Sequence, residues 1–334
     1  MSTLEKGIDK RSVVSITQYT AGGLFVACEG DGEIGVVKVA VAGGTGGVGL
    51  AIVDALKEQT QHEFILLSRT ENSEFASKNN VNVVQIDYAD IEATASILDR
   101  HNVHTVISAL CIVTKEHSDA QVNLVRAAAA SSSVKRFVPS EYGSNYEENT
   151  ALKAIAIAEL QKTDLEFTSF VNGLFSDYLG MPAVPSHLAA GIKLFDIPSK
   201  VAVMIGTGNV PIVMTHTRDV GRFVVASLAL EKWEKKSYIV GDRKSWCKCV
   251  EIAGKVAGEP FTITYDPSSI LSGPIIEQPA YRPAYSSSVK EHGDWLEAGT
   301  FSFDGRAPES TFLNELFPDI VPLTVMDMMK ALCK

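Results

Sequence analysis

The sequence predicts an α/β protein built on a doubly wound parallel sheet, and three observations carry that expectation. Val36-Val-Lys-Val-Ala-Val-Ala42 is a β-branched run of the kind found in strands covered on both faces. A glycine-rich turn, Gly43-Gly-Thr-Gly46-Gly-Val-Gly49, follows it and leads into apolar residues at helical spacing from Val48 to Gln59. From there to about Phe175, strand-like and helix-like segments alternate with short links.

The alternation reads in order. Phe64–Leu67 and Val81–Ile86 are short apolar strands, and Ile91–Arg100 is a helix. Thr105–Leu110 is a strand, Ser118–Ala130 an Ala-rich helix, and Arg136–Pro139 a strand. Ala151–Lys162 is a helix and Glu166–Val171 a sixth strand. Beyond Phe175 the regularity stops, and Pro182, Pro185, Pro198 and Pro211 punctuate short segments. Val201–Ile205 and Pro211–Met214 are strands around the Gly206–Asn209 turn, and Arg218–Leu230 is a helix capped near Thr217 or Asp219. Ser237–Val240 suits one more parallel strand, Trp246–Ala257 a helix, Phe261–Tyr265 an extended segment, and Phe317–Leu332 holds a final helix. The expected division is a weakly ordered extension over 1–35, a dinucleotide-binding domain over 36–175 and a substrate lobe over 176–334. Returning strands near 201–240 partly join the first sheet.

Composition narrows the function classes. The 334 residues carry 30 Lys plus Arg against 40 Asp plus Glu, a net charge of -10, which argues against binding nucleic acid or docking on an anionic membrane. No uncharged apolar run approaches the roughly 18–20 residues of a spanning helix. The start of the chain, with Lys6, Asp9, Lys10 and Arg11, does not read as a secretory signal. Five cysteines form no disulfide framework, and the Cys247-x-Cys249 pair lacks a neighbouring His or second Cys pair, so no metal is expected. A cytoplasmic enzyme acting on a small molecule is the class that remains.

The glycine turn has the context of a dinucleotide site, since it follows a buried strand and opens a helix. Glycine lets the backbone approach a pyrophosphate, and the helix N-terminus offers N–H groups and partial positive charge. The second strand ends Leu67-Ser-Arg69-Thr70 with no acid at its tip. Arg69 there suits a 2′-phosphate, which predicts NADP(H); the competing reading is a solvated surface arginine. Asp87 is placed either to meet the adenine edge or to cap the helix at Ile91.

These residues resemble a family. With Val106-Ile-Ser-Ala-Leu110, Arg136-Phe-Val-Pro-Ser-Glu-Tyr-Gly143, Lys153, Phe167-Thr168, Asn172-Gly-Leu-Phe175-Ser-Asp-Tyr178 and Gly208-Asn-Val-Pro to Arg218-Asp-Val-Gly221, the chain resembles the NmrA-like, isoflavone-reductase-like members of the atypical short-chain dehydrogenase/reductases. The resemblance covers about Val36 to Leu332, and the Asn172–Tyr178 segment is more similar to fungal members of secondary metabolism than to plant ones. It implies an NAD(P)-binding Rossmann fold with a smaller C-terminal α/β lobe, an NADPH cofactor, and reduction of a conjugated phenolic, enone or imine-type substrate that is aromatic or polycyclic.

The family's catalytic lysine lies fifteen residues before the Thr of its Phe-Thr strand, which lands on Lys153. The surrounding helix departs from the plant pattern, being Ala/Ile-rich from Ala154 to Ala158. The Tyr-x-x-x-Lys motif of ordinary relatives is absent, since Tyr146 follows Tyr142 and Thr150 follows Tyr146. The cofactor is expected across Gly43, Thr45, Gly46, Gly47, Val48 and Gly49, Arg69 and Asp87, Ser108, Ala109 and Leu110, Pro139, Ser140 and Glu141, Lys153, Asn172 and Phe175. Glu141 orients a partner or caps a helix, and Tyr142 is a second candidate acid. Phe175 and Tyr178 either line the boundary between nicotinamide and substrate or pack in the core. Tyr281 and Arg282, in a long loop from Ser272 to Ser288, suit a flat or anionic ligand, against plain surface packing. His187 and His216 read as structural. A non-redox isomerase or cyclase and an NADP-sensing regulator are the competing functions. The sequence admits a homodimer without setting the oligomeric state.

Overall fold

The apolar pattern of the central strands assigns successive side chains to two different layers. In β1 (Lys38–Ala42), Val39 and Val41 pack into one core and Ala40 and Ala42 into another, and all four are fully buried. The computed structural model describes residues 36–58, 61–144, 151–189, 194–204, 206–264, 294–304 and 307–334. The extension 1–35, the loop around Tyr281 and Arg282, and Tyr146 and Thr150 lie outside the described residues.

The first sheet contains β1, β2 (Glu63–Ser68), β3 (Val83–Gln85), β4 (Thr105–Ser108), β5 (Arg136–Val138) and β6 (Glu166–Phe167). Its order is β3-β2-β1-β4-β5-β6 and every pairing is parallel. Helices α1 (Gly47–Glu58), α2 (Ser73–Asn79), α3 (Ile91–Arg100), α4 (Lys115–Ala130) and α5 (Ala151–Leu160) connect the strands. The strand order reverses between β1 and β4, which opens a crevice at the C-terminal strand ends.

The expected strand Glu166–Val171 divides at Thr168. Its first half, β6, pairs with β5, and its second half, β7 (Ser169–Val171), pairs with β12 (Lys236–Tyr238) of a different sheet. Thr168 is fully buried, and its Oγ1 shares a hydrogen bond of 2.8 Å with Ser237 Oγ. The rest of the lobe comprises β8 (Leu174–Phe175), α6 (Asp177–Gly180), β9 (Phe195–Asp196), β10 (Val201–Val203), β11 (Pro211–Thr215) and α7 (Thr217–Ala226). Then follow β12, β13 (Asp242–Ser245), α8 (Trp246–Ala257), β14 (Thr262–Thr264), β15 (Ser310–Phe312) and α9 (Val325–Leu332). A third core gathers Ile212, Met214, Trp246, Ile252, Phe261 and Met328.

Several boundaries move, each for a local reason. Helix α4 starts one turn before Ser118, because Thr114 caps it by accepting from His117 N while the first turn is polar. Helix α7 is capped by His216 rather than Thr217 or Asp219, and gives way at Ser227–Ala229 to a 3-10 turn. Asp90, not Asp87, caps α3 by accepting from Ala93 N. Helix α2, begun by the Asn72 cap, and strand β13 have too weak an apolar pattern to be read from sequence.

Helices α1 and α7 cover one face of the first sheet together, burying Ile52, Val53, Leu56, Val220, Phe223 and Val224 against β1. They approach so closely that a Cβ on Gly221 would sit 2.4 Å from the Ala51 carbonyl oxygen. Alanine is favoured over glycine inside a helix by about 1 kcal/mol, so a loss at this position reports the contact itself. Gly221→Ala is expected to destabilise the protein by about 1–3 kcal/mol in urea unfolding. A midpoint at or above that of the parent contradicts the close approach.

Candidate active site

The turn after β1 is made of backbone pressed on backbone. Gly43 and Gly47 have φ of +80° and +52°, in the left-handed region that favours glycine. A Cβ on Gly43 would lie 2.6 Å from the Ala109 carbonyl oxygen, and one on Gly49 2.2 Å from that of Gly43. Gly46 differs: it is exposed and nothing lies within 4 Å of where its Cβ would be. Thr45 is exposed beside it, Val48 is half-buried, and the first turn of α1 contains no acidic residue. That leaves an open approach to the positive end of a helix. The Gly47 N–H donates to the His187 carbonyl at 3.2 Å, and His187 Nε2 meets Asp54 Oδ2 at 2.6 Å.

At the neighbouring strand tips, Arg69 is exposed and its carbonyl accepts from Gln85 Nε2 at 3.1 Å. Asp87 is exposed and its Oδ1 accepts from Ala89 N at 2.8 Å. Tyr88 is buried; burial pushes its hydroxyl pKa up and the charge of Arg69 pulls it back.

The tips of β4 and β5 are joined by Gln121, a fully buried amide on α4. Its Oε1 accepts from Ser108 Oγ at 2.7 Å and from Ser140 N at 2.8 Å. Ser140 Oγ in turn donates to the Leu110 carbonyl at 2.8 Å, and Ala109 N to that of Ala42. Gln121 sits on the buried stripe of α4 with Ser118, Val122, Leu124 and Val125. A lone amide on such a stripe was its sequence signal, and sequence reasoning missed it.

Beyond Pro139 the chain turns inward. Glu141 is buried, and burial pushes its carboxyl up to about 7 against the opposing pull of Lys153. Lys153 lies one turn from Ala156 and Ile157 on α5, and both of these face inward, which carries the lysine off the solvent side. Burial pulls its pKa below the ordinary lysine value, while Glu141 and Cys111 raise it again. Tyr142 stands in the core with its ring stacked on Phe170 at 6.2 Å, and burial makes its hydroxyl a weaker acid.

The next stretch folds back on this one. Asn172 N and Gly173 N both donate to the Gly143 carbonyl at 2.9 Å, and Asn172 is fully buried. Phe175 is half-buried and pairs with Thr215, and Tyr178 is 37% exposed on α6. Asp177, which sequence reasoning passed over, accepts from Thr217 N, Thr217 Oγ1 and Ser186 Oγ. His216 is buried beside it, with Nδ1 accepting from Arg218 N.

Buried polar atoms without a hydrogen-bond partner gather here. Among the described residues nine are found, and seven belong to Gln121, Glu141, Tyr142, Ser144, Asn172, Ser176 and His216. Hydrogen bonds tie these segments together at the C-terminal strand ends: Ser140 N donates to Gln121 Oε1, Asn172 N to the Gly143 carbonyl and Ser176 N to the Thr215 carbonyl. Buried polar groups are normally satisfied, so their concentration at one place marks a site built to meet a polar ligand.

Residues 36–297 match the NmrA-like family. The chain belongs to that family. Among NmrA-like relatives, Oxidoreductase BOA1 of Botryotinia fuckeliana is 65% identical over 294 residues, covering 86% of this chain and 96% of that protein. Oxidoreductase swnN of Metarhizium robertsii is 31% identical, covering 89% and 97%. The fold is shared with the binary complex of leucoanthocyanidin reductase and NADPH from Vitis vinifera, at a TM-score of 0.66 and 18% identity, over 89% of this chain and 99% of that one. The Rossmann architecture expected from the family resemblance is therefore present.

The structure brings together the expected residues of the glycine turn, the β4 and β5 tips, Lys153 and Asn172. It sets Arg69 and Asp87 at the neighbouring β2 and β3 tips, and places Tyr142, the second candidate acid, with its ring in the core. Gln121→Leu removes the shared acceptor of Ser108 and Ser140, leaving buried donors unpaired at about 1–3 kcal/mol each. A fall in the thermal midpoint is the expected outcome, and an unchanged midpoint counts against Gln121 as the link between the two tips.

Proposed function

We propose that this NmrA-like protein is an NADP(H)-dependent oxidoreductase that reduces a conjugated phenolic, enone or imine-type small molecule. The observation that carries the reading is Lys153, a half-buried lysine on α5 whose charge acts on the buried Glu141, near strand tips where buried polar atoms lack hydrogen-bond partners. The names of the relatives and the NADPH complex of the vine reductase support the same class.

The residues present fit the cofactor. The open space at Gly46 and the acid-free start of α1 suit a pyrophosphate. Arg69 offers a bidentate charge to a 2′-phosphate and Asp87 an acceptor to the adenine edge. Ser108 to Leu110, Pro139 to Glu141, Asn172 and Phe175 would hold the nicotinamide end. When bound, the reduced nicotinamide supplies a hydride to an electrophilic carbon of the substrate.

The protein's own part is to hold charge and move a proton. Lys153, as ammonium, faces the oxygen or nitrogen on which negative charge develops and donates a proton to it. Its lowered pKa makes that donation easier near neutrality than for an ordinary lysine. Tyr178 stands at the exposed edge and suits contact with an aromatic ring. Tyr281 and Arg282 are retained as substrate contacts on the sequence argument alone.

Lys153→Met is expected to abolish NADPH consumption across a panel of phenolic enones, while fluorescence titration shows NADPH binding intact. Full activity in that variant overturns the mechanism. Because the ammonium is the working form, activity should fall as pH rises through a pKa lower than the ordinary 10.5. Arg69→Ala should weaken NADPH binding by about 10–100-fold, the loss of one charge-assisted contact, with little change for NADH. A parent protein that prefers NADH overturns the assignment of Arg69.

A further inference from the structure

We infer that Ser186–Leu188 is a strap laid on the start of α1, where it competes with the cofactor's pyrophosphate, and that His187 and Asp54 form its latch. The inference rests on the reading of the glycine turn as the dinucleotide site, and not on Lys153 or on reduction.

Helix geometry sets how many donors the turn offers. The first N–H groups of an α-helix have no acceptor inside it, and these are the groups that meet an anion. In α1 the internal ladder opens with Leu50 N donating to the Gly46 carbonyl at 3.1 Å. The N–H groups of Gly47, Val48 and Gly49 are therefore the ones the helix leaves over. The first of them is taken, because Gly47 N donates to the His187 carbonyl at 3.2 Å. A phosphate oxygen brought to the same N–H would meet that carbonyl oxygen, and the two repel. Leu188 adds to the obstruction. Its side chain lies 3.7 Å from where a Cβ on Gly47 would be, and it offers an anion no donor while displacing water.

The contacts of the strap divide into a root and a tip. At the root, Ser186 Oγ donates to Asp177 Oδ1. Asp177 is fully buried and also accepts from Thr217 N at 2.9 Å and Thr217 Oγ1 at 2.6 Å, at the start of α7. Leu188 N donates back to Ser186 Oγ at 3.1 Å, which fixes the turn of the strap. At the tip, His187 Nε2 donates to Asp54 Oδ2 at 2.6 Å, two turns along α1 from Gly47. These two side chains are 38% and 45% exposed, and a contact open to solvent is worth little. The tip can let go while the root holds. Cofactor binding then exchanges the His187 carbonyl for a phosphate at Gly47 N and opens the latch. The measured affinity is lower than the turn alone would give, by the fraction of molecules with the strap released.

The test follows hydrogen–deuterium exchange of the full-length protein with and without saturating NADPH. The start of α1 is expected to gain protection and residues 184–189 to lose it. Protection gained in both places makes the strap a clamp on the cofactor and overturns the competition. A protected α1 beside an unchanged 184–189 also overturns the inference and leaves the dinucleotide site standing. An unchanged α1 defeats both readings. A second arm measures NADPH affinity by fluorescence titration. His187→Ala and Asp54→Ala are each expected to tighten binding by about 2–10-fold, the net worth of one hydrogen bond. The double variant should gain no more than either alone, because both remove the same contact. Loss of the carboxylate favours an anionic ligand by charge alone, whereas loss of the imidazole does not, so tightening in both variants identifies the latch. Unchanged or weaker binding in His187→Ala overturns the inference.

Discussion

The site depends on one steric constraint, the contact of bare backbone at Gly43, Gly49 and Ala109. Where Cβ atoms would fall 2.2 and 2.6 Å from carbonyl oxygens, only glycine lets β1 end, α1 begin and the β4 tip close in within a few residues. The dependence passes along the sheet from there. The β4 tip holds Ser108 against Gln121, Gln121 holds Ser140 at the β5 tip, and the next residue in the chain is Glu141. The position of this buried acid is thus inherited from the glycine turn, through hydrogen bonds that cross two strands.

Charge inside the site is arranged against the sign of the whole molecule. The chain has a net charge of -10, yet the first turn of α1 lacks acids and Arg69 stands exposed at the β2 tip. Exposed ion pairs elsewhere, such as Lys115 with Asp119, gain little in water. Glu141 and Lys153 sit in a poorer dielectric, where burial pushes the carboxyl up and the lysine down and the charge of each pulls the other partly back. Both groups are therefore held where solvent levels their charges less than at the surface.

Much of this was legible in the sequence, and the rest was hidden for identifiable reasons. The buried strands announced themselves because β1 packs on both faces and so is apolar throughout. The glycine turn was legible because its spacing reflects steric need. Lys153 was found through family resemblance alone, since nothing in an Ala/Ile-rich helix distinguishes a functional lysine from a solvated one. Gln121 was hidden because a single amide on an apolar stripe carries little weight beside many alanines. Glu141 was noticed, as a cofactor contact that orients a partner or caps a helix, but neither its burial nor the lack of a donor to its Oε1 can be seen in a string of residues. The division at Thr168 left no trace because Phe167, Phe170 and Val171 continue one apolar run across it.

That division has a mechanical consequence. Two-domain enzymes often close over their ligands by swinging about residues free to change φ and ψ. Here the passage from the first sheet to the second runs through a single residue with paired strands on either side of it. Thr168 is fully buried and bonded to Ser237, and β6 and β7 are each held in a parallel ladder. Each ladder lies within its own sheet, so a rotation of one sheet against the other would have to be taken up at Thr168, which is buried and bonded. At this crossing the chain has one buried, side-chain-bonded residue in which to turn, and little room to do so.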